Sequence, residues 1–167
     1  MAAPGGWPRP VGCPGIAGSR AGPSSMTKGR DVKTNPYLIF NGNCREAFET
    51  YAGIFGGQID AFMPFAGTPA EAYVAPEWKD KVMHVTMTFG GNVLMGSDAG
   101  SGDFEKPQGM SVAIVLDDPD EAERIFNALA EGGEVKMPFE ETFWAHRFGM
   151  ATDRFGTPWL INCDKPA

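Results

Sequence analysis

The chain has 167 residues, 43% hydrophobic and 21% charged, which is enough for one globular domain with a substantial core. Its net charge of −7 argues against a surface for nucleic acid or anionic lipid, and no apolar run approaches the roughly 20 residues of a membrane-spanning helix. The three cysteines, Cys13, Cys44 and Cys163, form no CxxC pair, which favours a reducing compartment such as the cytoplasm.

Residues 1–34 differ in composition from the rest of the chain. Residues 1–25 are dominated by Pro, Gly, Ala and Ser, contain no acidic residue and show no helical or strand period, so we predict a disordered leader. Prolines and glycines interrupt every stretch that could form the apolar centre of a secretory signal. Met26 follows at once, and our hypothesis is that translation starts there. We expect residues 35–167 to form a single domain.

After Asn35 the sequence repeats itself. YLIFNGNCREAFETYAGIFGGQIDAFMPF can be laid over VAIVLDDPDEAERIFNALAEGGEVKMPFE, with the Gly-Gly pairs 76 residues apart (132 − 56). Each copy begins with an apolar strand, at Tyr37 to Phe40 and at Met110 to Leu116. A helix follows, in which apolar residues recur at helical spacing until the Gly-Gly pair ends it. These residues are Cys44, Phe48, Tyr51 and Phe55 in the first helix, and Ala122, Ile125, Phe126 and Leu129 in the second.

Three further strands complete each copy, so the predicted fold is α+β with two tandem βαβββ modules, at 35–99 and 109–164. The strands are predicted at 58–65, 82–89 and 93–98 in the first module and at 134–140, 146–152 and 158–163 in the second. FGGNVLM matches FGTPWLI at an offset of only 66 (155 − 89), which indicates an insertion of roughly ten residues near 66–81 in the first module. This insertion is either a lid or a plain connection.

Tandem βαβββ modules resemble the vicinal oxygen chelate superfamily, which includes glyoxalase I, extradiol dioxygenases and bleomycin-resistance proteins. NPYLIFNGNCREAFETYAGIFGG, KVMHVTMTFGGNVLMGSD and FGMATDRFGTPWLIN are similar to its PhnB-like branch, often labelled 3-demethylubiquinone methyltransferase-like. The resemblance implies two curved half-barrel sheets that share a cavity, and a homodimer. No strand is followed by a glycine-rich nucleotide turn, so we do not expect methyltransferase activity.

In this superfamily, metal ligands come from the first and last strands of each module. The resemblance places Ser111 where a histidine ligand usually stands, with its counterpart in the first module between Asn35 and Tyr37. Leu160 occupies the usual glutamate position, and the offset of 66 gives Leu94 as its counterpart (160 − 66). Because aliphatic side chains cannot coordinate a cation, we expect no metal and no cofactor.

Strand alternation predicts which side chains face the shared cavity. His84, Thr86 and Thr88 lie on one face of their strand, and Met110, Val112, Ile114 and Leu116 should pack on helices. Tyr37, Ile39, Ser111 and Ala113 then face the cavity. If Gly90 to Asn92 form a three-residue hairpin loop, His84 lies opposite Asp98. The two residues are then either a general-base dyad or a cross-strand pair at the rim of the pocket, whereas a two-residue loop separates them.

The stretch FWAHRFGMATDRFGTPWLIN predicts an aromatic wall in the second module. Trp144, His146, Phe148, Met150 and Thr152 alternate along it and should face the cavity, whereas Arg147, Asp153 and Trp159 should be structural. His146 is either a hydrogen-bond donor to a ligand or a half-exposed residue at the end of a strand.

Two classes of function are consistent with these residues. The first is a metal-independent protein of the bleomycin-resistance type that binds a small organic ligand. Its contacts would come from Tyr37, Thr86, Leu94, Ser111, Trp144, His146, Phe148 and Leu160. The second is an enzyme with His84 as general base, or a metal-dependent enzyme of the same superfamily. The sequence favours binding.

Overall fold

The computed structural model describes residues 33–100 and 104–165, and it confirms two βαβββ modules in an α+β fold. The predicted leader and the proposed start at Met26 lie outside the described residues. The first module contains β1 (Tyr37–Phe40), α1 (Cys44–Phe55), β2 (Gln58–Pro64), β3 (Val82–Phe89) and β4 (Asn92–Asp98). The second contains β5 (Val112–Leu116), α2 (Pro119–Ala130), β6 (Glu134–Glu140), β7 (Arg147–Thr152) and β8 (Pro158–Cys163).

Each module forms one four-stranded mixed sheet, in the order β1-β4-β3-β2 and β5-β8-β7-β6. The first strand of each module pairs in parallel with the last, and the remaining neighbours are antiparallel. The helix between the first two strands therefore carries the chain across one face of the sheet. As a result, β1 and β5 are both edge strands, and neither sheet closes into a barrel.

The ends of both helices follow from local chemistry. Gly56 takes a left-handed conformation (φ 62°) directly after α1, and α2 begins where the Asp118 carboxylate accepts hydrogen bonds from the next backbone amides. The acidic run LDDPDEAE therefore forms the N-terminus of α2. At the start of α1, Asn43 makes no side-chain cap, and Asp98 accepts the amide hydrogen bond of Cys44 instead (3.0 Å).

The two helices and the helix-facing sides of both sheets form one hydrophobic core. The apolar helix residues predicted from their spacing are all part of this core or pack against it. Gly96 on β4 lets the sheet approach α1 closely, since an added Cβ would lie 2.6 Å from the Phe48 ring. Gly149 does the same on β7, 2.7 Å from the Phe126 ring.

A buried polar cluster joins the two modules. The Tyr51 hydroxyl on α1 donates to Asp153 at 2.6 Å, and the Trp159 indole donates to the same carboxylate at 2.7 Å. Asp153 also accepts the backbone amides of Phe155 and Thr157, both at 2.9 Å. These bonds satisfy the buried carboxylate, so the predicted structural role of Asp153 and Trp159 is confirmed.

The insertion in the first module is folded rather than extended. It contains two short 3₁₀ helices, at Pro69–Tyr73 and Pro76–Trp78. The Thr68 hydroxyl caps the first of them, and Lys79 pairs with Glu71 at 2.9 Å. A lid role for this segment stays a prediction. Among the residues that the structure describes, no helix is long and apolar enough to cross a membrane.

Candidate functional site

The hairpin between β3 and β4 decides which side chains face the cavity. Phe89 pairs with Asn92, so the loop contains two residues, Gly90 and Gly91, both with positive φ (52° and 79°). The hairpin is therefore the two-residue alternative, not the three-residue loop that a pairing of His84 with Asp98 requires. Because side chains alternate along a strand, one residue fewer in the loop moves every β4 side chain to the opposite face.

Asp98 consequently lies on the helix side of the sheet, and the predicted dyad with His84 does not form. Its carboxylate is buried and accepts the backbone amides of Cys44 (3.0 Å) and Val82 (2.8 Å). These two bonds join β4 to the start of α1 and to the start of β3. Asp98 is a structural residue rather than a partner for the imidazole.

Leu94 is misplaced in the sequence prediction for the same reason. It is 2% exposed in the core, whereas the next residue, Met95, lies on the open face and pairs with Thr86. The equivalent pair in the second module is Met150 and Leu160. The two hairpins differ in length, with two residues in the first loop and five in the second. Tyr37 pairs with Met95 and Ala113 pairs with Leu160, so the offset of 76 (113 − 37) between β1 and β5 corresponds to an offset of 65 (160 − 95), rather than 66, between β4 and β8.

His84 has two hydroxyl partners in place of a carboxylate. The Tyr37 hydroxyl lies 3.2 Å from Nδ1 and the Thr86 hydroxyl lies 3.1 Å from Nε2. The phenol and imidazole rings also stack, with centroids 5.8 Å apart and planes 24° apart. Since β4 separates β1 from β3, this contact spans a strand. The sequence predicted all three residues for the cavity, but not their contact with one another.

A cleft of about 610 Å³ lies between the edge strands β1 and β5. Tyr37 and Ile39 line it from the first module, and Ser111 and Pro158 line it from the second. Met110, which was predicted to pack on a helix, also lines the cleft. It is 63% exposed, because β5 begins only at Val112.

The segment between the modules supplies further lining residues that the sequence analysis missed. Glu105, Lys106, Pro107 and Gln108 border the cleft, and the two charged residues are adjacent in the chain. This segment has neither helical nor strand periodicity. Its position between two edge strands is therefore visible only in the folded structure.

The second module places its predicted aromatic residues on an open face. Phe148 and Met150 alternate with the buried Gly149 and Ala151 along β7. Trp144 lies before β7, half exposed, with its ring 5.5 Å from that of Phe148. His146 is half-buried, and its backbone amide donates to the Cys163 carbonyl. Of the eight predicted ligand contacts, Tyr37 and Ser111 line the cleft.

The positions that hold metal ligands in the superfamily do not fit a divalent cation. Ser111 and Tyr37 offer only hydroxyl oxygens, Asn35 offers a neutral carboxamide, and Leu160 offers no donor atom, so none of them supplies an imidazole or a carboxylate. With the corrected offset, the fourth position is Met95, whose thioether is a poor ligand for the cations that imidazole and carboxylate hold. Within residues 33–100 and 104–165, no group of three His, Cys, Asp or Glu side chains is placed to hold a metal ion.

Cys44 is not a candidate nucleophile. Burial raises the pKa of its thiol well above the ordinary value, and the Asp98 carboxylate raises the pKa further. The reactive thiolate is therefore suppressed at neutral pH.

Comparisons with known proteins agree with this architecture. A family model described as 3-demethylubiquinone-9 3-methyltransferase matches residues 32–162. The protein YjdN of Escherichia coli K12 is 33% identical over 139 residues, covering 78% of this chain and 95% of YjdN. The crystal structure of PA1353 from Pseudomonas aeruginosa is 48% identical with a TM-score of 0.74, covering 81% of this chain and 99% of that one.

A third match concerns the fold alone. The structure of a putative 3-demethylubiquinone-9 3-methyltransferase, PhnB protein, from Bacillus cereus is 23% identical with a TM-score of 0.67. It covers 79% of this chain and 99% of the Bacillus chain.

Proposed function

Because the chain belongs to the family described as 3-demethylubiquinone-9 3-methyltransferase, the PhnB-like branch of the vicinal oxygen chelate proteins, we propose that it binds a small organic molecule without a metal ion. The proposed function is of the bleomycin-resistance type, in which a protein sequesters its ligand. Methyl transfer is not part of this proposal, since the fold is two βαβββ modules rather than a doubly wound nucleotide-binding sheet.

The observation that carries the proposal is the cleft between β1 and β5. Its volume of about 610 Å³ lies within the range of roughly 300–1,000 Å³ that is usual for small-molecule sites. Apolar side chains such as Ile39, Met110 and Pro158 share its lining with a few polar groups, among them Ser111 and Gln108. Mostly apolar walls with a few polar groups are what organic ligands require.

Metal independence is supported by the chemistry of the four superfamily ligand positions. Leucine and methionine on the closing strands, β8 and β4, replace the carboxylates that such a centre needs. The ligand would therefore be held by packing and hydrogen bonds. Addition of a chelator should leave its affinity unchanged.

The proposal also includes a homodimer in the cytoplasm. Several large apolar side chains on open faces and edge strands are exposed, including Ile39, Met63, Met110 and Val115. Such surfaces and unpaired strand edges favour association with a second copy. Sedimentation equilibrium tests the dimer. The free thiols of Cys44 and Cys163 are consistent with a reducing compartment.

An enzyme is the second candidate, and the contacts of His84 favour it over the metal-dependent alternative. An imidazole bonded to two hydroxyls can accept a proton without any metal. The two candidates differ in one observable. A binding protein returns its ligand unchanged, whereas an enzyme converts it, and mass spectrometry of the ligand after prolonged incubation distinguishes them.

A fragment screen by thermal shift, with EDTA present throughout, tests the binding proposal. Ile39→Trp fills the cleft, and Val135→Trp is its matched control, because both residues lie on strands and are 49% exposed. Fragments at 100 times their Kd should stabilise the wild type and Val135→Trp by about 2.7 kcal/mol, but not Ile39→Trp. Binding that requires added divalent metal, or that survives in Ile39→Trp, would contradict the proposal.

A further inference from the structure

The polar atoms of Tyr37, His84 and Thr86, which form a hydroxyl–imidazole–hydroxyl cluster, lie within reach of solvent. The Tyr37 side chain is exposed and the other two residues are half-buried, so water could satisfy all their polar atoms. The three side chains also lie on the face of the sheet opposite the hydrophobic core, which holds Val85 and Met87 of the same strand. Their arrangement calls for an explanation other than polar satisfaction.

The protonation state of His84 determines which hydrogen-bond donors these three side chains present to a ligand. A neutral imidazole has one N–H and one acceptor nitrogen, so one of the two hydroxyls must donate its hydrogen bond to the acceptor nitrogen of the ring. An imidazolium donates from both nitrogens, and the Tyr37 and Thr86 hydroxyl protons are then both free. One added proton therefore supplies a positive charge and frees a further hydroxyl donor at the same place. Both changes favour a bound oxyanion.

The four strands of the sheet that carries His84 contain no lysine or arginine, and the cation that borders the adjoining cleft is Lys106, next to Glu105. Its cross-strand neighbour on β2 is Met63, and the titratable group that β1 contributes is Tyr37 itself. Asp60, at a bulge further along β2, is an exposed carboxylate of that strand. On β4, Asp98 lies on the opposite face, where backbone amides satisfy it. An anion on this face would therefore pair with a protonated His84.

Tyr37 connects the His84 cluster to the cleft, because its side chain lines the cleft and its hydroxyl is hydrogen-bonded to His84. We propose that Tyr37, His84 and Thr86 form an oxyanion-recognition site, and that the ligand is an organic acid with an apolar body, bound together with a proton on His84. The acid group lies at this site, and the apolar body lies in the cleft beside Ile39 and Met110. This inference rests on the proposed binding function and names the chemical class of its ligand.

Calorimetric titration of the full chain with benzoate tests the proposal, with benzamide as a neutral probe of the same shape. Benzoate should bind at least tenfold more tightly than benzamide at pH 6, and its affinity should fall by at least tenfold at pH 8. Titrations in Bis-Tris and in imidazole, which are not oxyanions and whose ionisation enthalpies differ, should show proton uptake on binding of benzoate only. The imidazole ¹⁵N signal that is lost in His84→Gln should move to the protonated position when benzoate is added.

Matched variants separate recognition from general damage to the fold. His84→Gln and Tyr37→Phe should each weaken benzoate at least tenfold and leave benzamide unchanged. Thr86→Val should weaken benzoate, whereas Thr88→Val, the same substitution two residues away on the same face, should not. Thermal melts identify any variant that has lost its fold, and the wild-type proton uptake then serves as the test.

Absence of benzoate binding, or benzoate binding without proton uptake, overturns the oxyanion site. So does an equal effect of Thr86→Val and Thr88→Val. If the fragment screen still finds neutral molecules in the cleft in that case, the proposed binding function stands and only the ligand class is wrong. If Ile39→Trp does not weaken the binding of any fragment, the proposed binding function itself is wrong.

Discussion

The hydroxyl of Tyr51 provides a sharp test of how the two modules are held together. Tyr51→Phe removes a single oxygen from a fully buried ring and leaves its packing against Phe48 and Trp159 in place. That oxygen donates to Asp153 at 2.6 Å and lies 3.1 Å from the Thr157 hydroxyl. Asp153 would keep its bonds from Trp159 and from two backbone amides, so its carboxylate would lose one of four donors.

A hydrogen bond to a charged group contributes about 1.5–3 kcal/mol, and the substitution creates almost no cavity. We therefore expect the free energy of unfolding to fall by about 2 kcal/mol in urea titrations, and Tm to fall by about 8 °C. The matched control is Tyr73→Phe, the same chemical change at a residue that is 86% exposed, which should stay within about 0.5 kcal/mol of wild type. Equal effects of the two variants would refute the inter-module role of Tyr51.

Three further predictions concern the first module. Gly96→Ala, whose Cβ would meet the Phe48 ring, should lower the free energy of unfolding by about 1–3 kcal/mol in urea titrations. Its control is Gly53→Ala in α1, where the added Cβ has no atom within 4 Å, and this change should raise the free energy of unfolding by about 0.5–1 kcal/mol. Asp98→Asn should lose about 1–3 kcal/mol by the same measure, against little change for exposed Asp60→Asn. Burial, and then the Asp98 carboxylate, raise the pKa of the Cys44 thiol in the folded protein, so the unfolded chain loses that proton first above about pH 8.5. The Cys44 contribution to the free energy of unfolding should then fall by up to about 1.4 kcal/mol per pH unit. The decline measured by urea titration should therefore be less steep in Cys44→Ala.

The fold could be predicted because its signals are periodic and occur twice. Apolar spacing in the two helices, the Gly-Gly pairs and the strand alternation all indicate the same βαβββ module. The limits of β3, β6 and β8 match the sequence prediction, and β5 differs because Met110 is apolar but lies before the strand. Apolar character alone does not distinguish a core residue from one that borders a cleft.

The candidate site was less predictable because it depends on a single residue of register. FGGN is compatible with a two-residue or a three-residue loop, and the choice reverses the face of every β4 side chain. Asp98 was placed opposite His84 on the assumption of the longer loop, and Leu94 was assigned to the cavity from the offset of 66. His84, which precedes the loop, was assigned correctly to the open face. Its contact with Tyr37 also requires the strand order β1-β4-β3, which brings residues 47 positions apart into contact.

Binding of an organic molecule in the β1–β5 cleft without a metal ion is the central claim, and one NMR titration tests it most directly. Fragments from the thermal-shift screen are added to ¹⁵N- and ¹³C-labelled protein in EDTA, and then zinc is added in excess of the chelator. The account predicts shift changes that concentrate at Tyr37, Ile39 and Ser111 in EDTA and do not increase with zinc. Shift changes that arise only with zinc, or that lie away from β1 and β5, would contradict it.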